Sequence, residues 1–160
     1  MRRKDREITD LNEILGIMKK CDVCNIAIFD EEYPYIIPMN FGFSSQDKEL
    51  ALYFHCAKAG KKLDLLRKNP KVGFEMDCSH NLIIKELDCD CTMEFESICG
   101  NGVIEILPDD QKIAALGQLM KQYKEQPAMN FNEKYVKAVE VLKLTVNEIT
   151  GKHLDRNHGE

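Results

Sequence analysis

The chain has no apolar run approaching the ~18 residues of a membrane-spanning helix, so no helical membrane anchor is expected. Basic residues open it, MRRKDREITD, but no apolar segment stands behind them, and a secretion signal is not expected. A basic surplus is also missing. The net charge is −5, which argues against a general nucleic-acid binder. The cluster Arg2-Arg3-Lys4 is interrupted by Asp5 and Glu7 and reads as a solvated or partner-packing arm. No nucleophile elbow, HExxH motif or Walker loop occurs, so hydrolytic chemistry has no foothold. Internal repeats, low-complexity tracts and linkers are absent as well. One domain is expected from 160 residues, a length that buries roughly 70% of the unfolded surface.

Seven cysteines are present, an odd number without an export signal, so reduced thiols and a cytoplasmic setting are expected. Three near-pairs invite a metal reading: Cys21-x-x-Cys24, Cys78-Ser79-His80 and Cys89-Asp90-Cys91. Structural zinc needs two well-spaced pairs on turns, whereas Cys24 and Cys91 stand where strands begin. No metal is expected, and most of these residues read as small buried hydrophobes.

Asp10 followed by Glu13 forms a capping-box pattern, with Leu11, Ile14, Leu15 and Met18 at helical spacing up to Lys19-Lys20. A strand follows, Val23 to Phe29, then a turn at Asp30 to Pro34. From Tyr35 to Phe43 the residues Tyr35, Ile37, Met39, Phe41 and Phe43 alternate onto one face of a second strand. Its other face, Ile36, Pro38, Asn40 and Gly42, is thin, and Pro38 cannot donate to a central ladder. Such a face suits either an edge strand or a flat ligand lying against the backbone.

Ser44 to Lys48 reads as a hairpin turn. Leu50 to Phe54 is then a buried strand that breaks at His55-Cys56-Ala57, and a helix begins near Lys58 with Ala59, Leu63 and Leu66 inward. That helix stops at Asn69-Pro70. Further strands are expected at Val72 to Cys78 and at Cys91 to Cys99, the latter with Cys91, Met93, Phe95, Ser97 and Cys99 on one face. Between them Ser79 to Asp90 reads as a loop, and Gly100-Asn101-Gly102 as a bulge before Val103 to Leu107. Pro108-Asp109-Asp110 opens a helix with Ile113, Leu116, Leu119 and Tyr123 inward. A short helical piece after Asn132, a strand from Val139 to Ile149 and a polar tail, Gly151 to Glu160, complete the chain. Near-sequential strands with few helices close most naturally into an antiparallel barrel.

The chemistry-bearing stretch is Leu50 to Pro70. A strand running into a helix start presents free N–H groups and the positive end of the helix dipole, which attract phosphate. The small residues Ala57, Ala59 and Gly60 permit close approach, and Lys61 and Lys62 add charge. An ordinary amphipathic helix with solvated lysines has the same pattern. A Cys–His nucleophile from His55 and Cys56 is not expected, because strand neighbours point opposite ways. A phosphate-bearing planar cofactor would use the lysines, the thin face at Pro38 and Asn40, and His55 together.

The phrases MRRKDREITD, YPYIIPMNFGF, LYFHCAKAGKKLDLLRKNPKVGFEMD and EITGKH resemble the flavin-binding split-barrel proteins related to pyridoxamine 5'-phosphate oxidase, in the nitroimidazole-resistance branch. The resemblance implies a six-stranded antiparallel split β-barrel that forms a homodimer, with FMN or FAD at the subunit interface. It places Ile37, Pro38, Met39 and Asn40 along the isoalloxazine ring, and His55, Cys56, Ala57, Gly60, Lys61 and Lys62 in the phosphate-contacting segment. It has Ser97 complete the pocket from the partner subunit. It further implies a flavin-dependent oxidoreductase passing electrons to a small acceptor such as a 5-nitroimidazole, with His55 as the catalytic proton donor or an orienting hydrogen-bonder. The other function in view is a non-catalytic flavin- or haem-binding carrier or redox sensor. Pyridoxamine-phosphate oxidases end in an Arg-rich segment where this chain has LDRNHGE, so vitamin B6 oxidation is not expected. Relatives often carry serine where this chain has Cys56.

Overall fold

The computed structural model describes residues 3–46, 49–124 and 130–155. Residue 2 of the basic arm, residues 47–48 of the expected turn and residues 156–160 of the polar tail lie outside the described residues.

Asp10 does what its spacing suggests: its carboxylate accepts the Glu13 N–H at 3.0 Å and caps helix α1 (Leu11–Lys20). Ile14, Ile17 and Met18 bury the inner face of this helix. The strands are β1 (Glu7–Ile8), β2 (Cys24–Ile28), β3 (Tyr35–Met39), β4 (Gly42–Gln46), β5 (Glu49–Ala57), β6 (Lys71–Ile83), β7 (Thr92–Ile106) and β8 (Val139–Leu154). The remaining helices are α2 (Lys61–Lys68), α3 (Asp109–Tyr123) and α4 (Glu133–Lys137).

All pairings are antiparallel, in the order β3-β2-β6-β7-β8-β5-β4, with β1 added to β8. The two ends of that order, β3 and β4, are consecutive in the chain and separated only by Asn40 and Phe41. So short a connection spans at most about 11 Å, and the sheet has to curl until its edges meet. The result is an antiparallel split β-barrel, and the expected single strand from Tyr35 to Phe43 is two strands that change partner at the split. Phe41 is fully buried there. Its N–H donates to the Tyr123 hydroxyl at 2.9 Å, which donates to the Asp22 carbonyl at 2.8 Å.

The corner divides the thin face. Ile36 and Pro38 stay exposed, whereas Gly42 is buried where a Cβ would stand 2.3 Å from the Leu119 Cα of α3. Gly42 therefore admits a helix, not a ligand. The inner face of α3 is also rotated from expectation. Lys112, Ala115 and Leu119 are buried, while Ile113 and Tyr123 are 45% and 40% exposed. A lysine can face inward here because its charge is fully met, and Tyr123 lies outside because its hydroxyl fastens the split.

Strand β7 has the expected period but the opposite phase: Glu94 and Ile98 are buried, whereas Met93 and Cys99 are exposed. The inward glutamates have partners. Asn81 donates to Glu94 at 2.8 Å, and Lys20 and Ser79 donate to Glu96, each at 2.6 Å. The Gly100-Asn101-Gly102 irregularity is present, but β7 runs through it. The extra residue is Asn147 in β8, between the pairs Asn101–Glu148 and Gly102–Val146. The expected loop after Cys78 is instead strand up to Ile83, irregular between Cys78 and Asn81, with Ser79 at φ 59°.

Candidate functional site

Strand β5 continues through His55, Cys56 and Ala57, which pair with Val141, Glu140 and Val139 of β8. Helix α2 consequently starts at Lys61, three residues later than its pattern suggests, and Ala59 is exposed. Gly60 is the N-cap at φ 134°, a conformation open to glycine and strained for other residues, and a Cβ placed there would meet nothing within 4 Å. No side chain caps this helix. The N–H groups of Leu63 and Asp64 turn back to the Gly60 carbonyl at 3.0 and 3.3 Å, which leaves those of Lys61 and Lys62 at the open end.

The two lysines diverge. Lys61 reaches out to Asp30, Nζ to Oδ2 2.6 Å, and lies 5.2 Å over the Tyr35 ring. The hydrogen bond to Asp30 holds its pKa above the ordinary lysine value. Lys62 turns inward to the Met39 sulfur at 3.3 Å, its sole hydrogen-bond partner among the described residues. A thioether is a weak acceptor, so this ammonium keeps donors for an anion. Between them the lysines bind α2 to both ends of β3. On the opposite face of β3 from Tyr35 and Met39, Ile36 (63% exposed) and Pro38 present an open apolar surface, and among the described residues β3 pairs with β2 alone. Asn40 is engaged elsewhere, for its amide donates to the Asp22 carbonyl at 3.0 Å and steadies the corner. Ile37 is half-buried on the inner side of β3.

His55 and Cys56 face opposite ways. The imidazole is exposed, with no hydrogen-bond partner among the described residues, while the thiol is half-buried. Burial pushes the Cys56 thiol up, Lys62 pulls it down and Glu140 adds to the rise. It remains a packing thiol. Cys24, fully buried at the start of β2, is pushed up to about 12 by burial.

Ser97 is not brought to this place within one chain. It pairs with Asp77 and Lys152, and Lys152 lies eleven residues along β8 from Val141, the partner of His55. That is roughly 35 Å of strand. A cavity of about 520 Å³ lies at that far end among Lys20, Ser79, Phe95, Glu96 and His153. The lysine site is instead open surface, with Gly60 and Lys61 exposed. Sequence reasoning missed Asp30 and Tyr35, which meet Lys61, and Glu140, which stands opposite Cys56; each comes there from a distant part of the chain. The open helix start, the space above Gly60 and the Lys62 ammonium fit a phosphate ester, and the exposed Ile36–Pro38 face of β3 is apolar surface on which a flat ring could lie.

The family model described as pyridoxamine 5'-phosphate oxidase matches residues 10–153. The chain belongs to this family. Among solved structures of its fold, a candidate 5-nitroimidazole antibiotic resistance protein from Bacteroides thetaiotaomicron is 31% identical, with TM-score 0.79 over 92% of this chain and 86% of that one. An FAD and haem binding protein from Mycobacterium smegmatis is 16% identical, TM-score 0.79, over 94% of this chain and 74% of that one. A flavocytochrome from Azotobacter vinelandii is also 16% identical, TM-score 0.75, over 97% and 74% respectively. At that identity the last two show the fold alone. No curated protein matches the chain. Among the described residues no helix is long and apolar enough to cross a membrane.

Proposed function

We propose that this protein binds a flavin by its phosphate at the start of α2 and reduces a small acceptor of the nitroimidazole or nitroaromatic class. The observation that carries the reading is the uncapped helix start at Gly60, with Lys62 held against Met39 where the exposed edge of β3 begins. FMN is the expected flavin; FAD would use the same anchor and extend into solvent. The flavin supplies the electron chemistry when bound. The chain supplies the rest: Lys62 and the N–H groups of Lys61 and Lys62 hold the phosphate, Lys61 braces α2 on Asp30, and Ile36 to Pro38 support the ring. His55, exposed on the outer face of β5, donates a proton or a hydrogen bond to the acceptor.

The relative with nitroimidazole resistance in its description supports the acceptor class, because its identity to this chain extends over nearly the whole length. A homodimer is part of the proposal. Ser97 of the partner subunit would cover the site that one chain leaves open, since this chain's own Ser97 pairs with Lys152, far along β8 from the partner of His55. The free cysteines suit a reducing, cytoplasmic setting.

Two measurements test the reading. Purified protein should show a flavin absorption spectrum that disappears when Lys61→Ala and Lys62→Ala are combined; a colourless wild type that takes up no added FMN sinks the proposal. After anaerobic reduction, mixing with a nitroimidazole should reoxidise the protein faster than buffer does. An unaccelerated return would make the protein a flavin carrier rather than a reductase of that substrate.

A further inference from the structure

Lys112 is 2% exposed on the inner face of α3, and all three of its N–H groups have acceptors. Its Nζ lies 2.8 Å from Asp109 Oδ1, 2.9 Å from Glu140 Oε2 and 2.9 Å from the Val139 carbonyl. Burial by itself lowers its pKa, yet Asp109 and Glu140 together hold it above the ordinary lysine value, so the ammonium stays charged. Asp109 is mostly exposed and its share is screened by water, whereas Glu140 is 19% exposed. Glu140 is thus the partner that matters.

Its position gives that pairing a consequence. In the β5–β8 register Glu140 stands opposite Cys56, and Cys56 is where the fields of Lys62 and Glu140 meet with opposite effect. A carboxylate therefore sits one cross-strand step from Cys56, the same thiol that feels the charge of Lys62. Left bare, it would repel a phosphate and compete for Lys62.

We infer that Lys112 is a positioning residue that masks Glu140, so that the charge of Lys62 is left for the phosphate of a flavin mononucleotide. The inference rests on the flavin reading and deepens it: the preference for a phosphorylated flavin depends on a lysine in another helix that touches no ligand. Glu140 remains in the fold because it anchors the start of β8 to α3, and Lys112 removes its electrostatic cost at the anchor.

The test compares the dissociation constants of FMN and riboflavin, which share the ring and differ in the phosphate. In Lys112→Met the FMN affinity should fall on the order of tenfold, the scale of one like-charge interaction across a partly buried gap, with riboflavin affinity unchanged. Adding Glu140→Gln should restore the wild-type ratio. Glu140→Gln alone, which keeps Lys112 bonded to Asp109 and the Val139 carbonyl, should tighten FMN severalfold, and it carries the test if Lys112→Met fails to fold. Loss of both ligands in equal proportion in Lys112→Met, no rescue by the second substitution, or an unmoved ratio in Glu140→Gln would each overturn the inference. Wild-type protein that binds neither ligand overturns the flavin reading along with it; wild type that prefers FMN with a ratio indifferent to both substitutions overturns this inference alone.

Discussion

Helices α1 and α2 begin in opposite ways. At the start of α1, Asp10 accepts the Glu13 N–H and an acidic residue follows in the first turn, so an orphan donor and the dipole are met from within the chain. At the start of α2 the cap is a glycine with no side chain to offer, the first two residues are lysines, whose charge opposes the dipole, and the first-turn acid, Asp64, is paired with Arg67. The first start serves stability alone. The second leaves donors open and adds charge of the sign that a phosphate neutralises, a local cost that makes sense when an anion completes it.

That contrast can be broken at each point, and the largest effect is expected at Lys62. Lys62→Ala should weaken FMN by about a hundredfold, or ~2.7 kcal/mol, the scale of a charge-assisted contact, as read by flavin fluorescence titration. Gly60→Ala forces a non-glycine residue to φ 134°; we expect a loss of about 1–3 kcal/mol of folding stability in urea denaturation and weaker FMN binding with it. Asp10→Ala should cost about 1 kcal/mol of stability and leave the FMN constant unchanged, because α1 has no part in the lysine site. Lys61→Ala should be mildest, since its ammonium is already spent on Asp30: a change in FMN affinity of no more than a fewfold, against the hundredfold at Lys62. Equal losses at the two lysines would erase the distinction between them.

The start of α1 was legible because its signal is local: Asp10 and Glu13 lie three residues apart. The alternation of β3, the irregularity at Gly100 to Gly102 and the breaks at Asn69 and Asn132 were legible for the same reason, although the extra residue of that irregularity is Asn147 in β8. What could not be read depends on partners far along the chain. Lys58 and Ala59 have fair helix propensity, but β5 is extended to Ala57 by pairing with Val139 to Val141. Period two in β7 gave its alternation but not which face is inner; Asn81, Lys20 and Ser79 decide that by receiving the glutamates. Nothing near Pro38 and Gly42 indicates that one faces solvent and the other a helix, because the corner at Asn40–Phe41 is imposed by closure of the barrel. At the site itself the sequence marked both lysines alike, and only Asp30 and Met39 separate their roles.

Lys112 illustrates the same limit with a larger energy. Removing a buried, fully paired cation typically costs about 3–5 kcal/mol, and no local pattern distinguishes this lysine from those on the solvent side of α3. Its pKa is raised on folding, so its contribution should be complete below the unfolded value of 10.5 and lost as pH rises through the folded one. Urea denaturation at neutral pH and above pH 11 should show wild type losing stability relative to Lys112→Met only in the alkaline range.

The central claim, that the open start of α2 holds a flavin phosphate through Lys62, is tested most directly by titrating wild type and Lys62→Ala with FMN and with riboflavin. The account predicts that wild type prefers FMN and that Lys62→Ala loses the preference while still binding riboflavin. Equal affinity of wild type for the two ligands, or a preference that survives in Lys62→Ala, would contradict it.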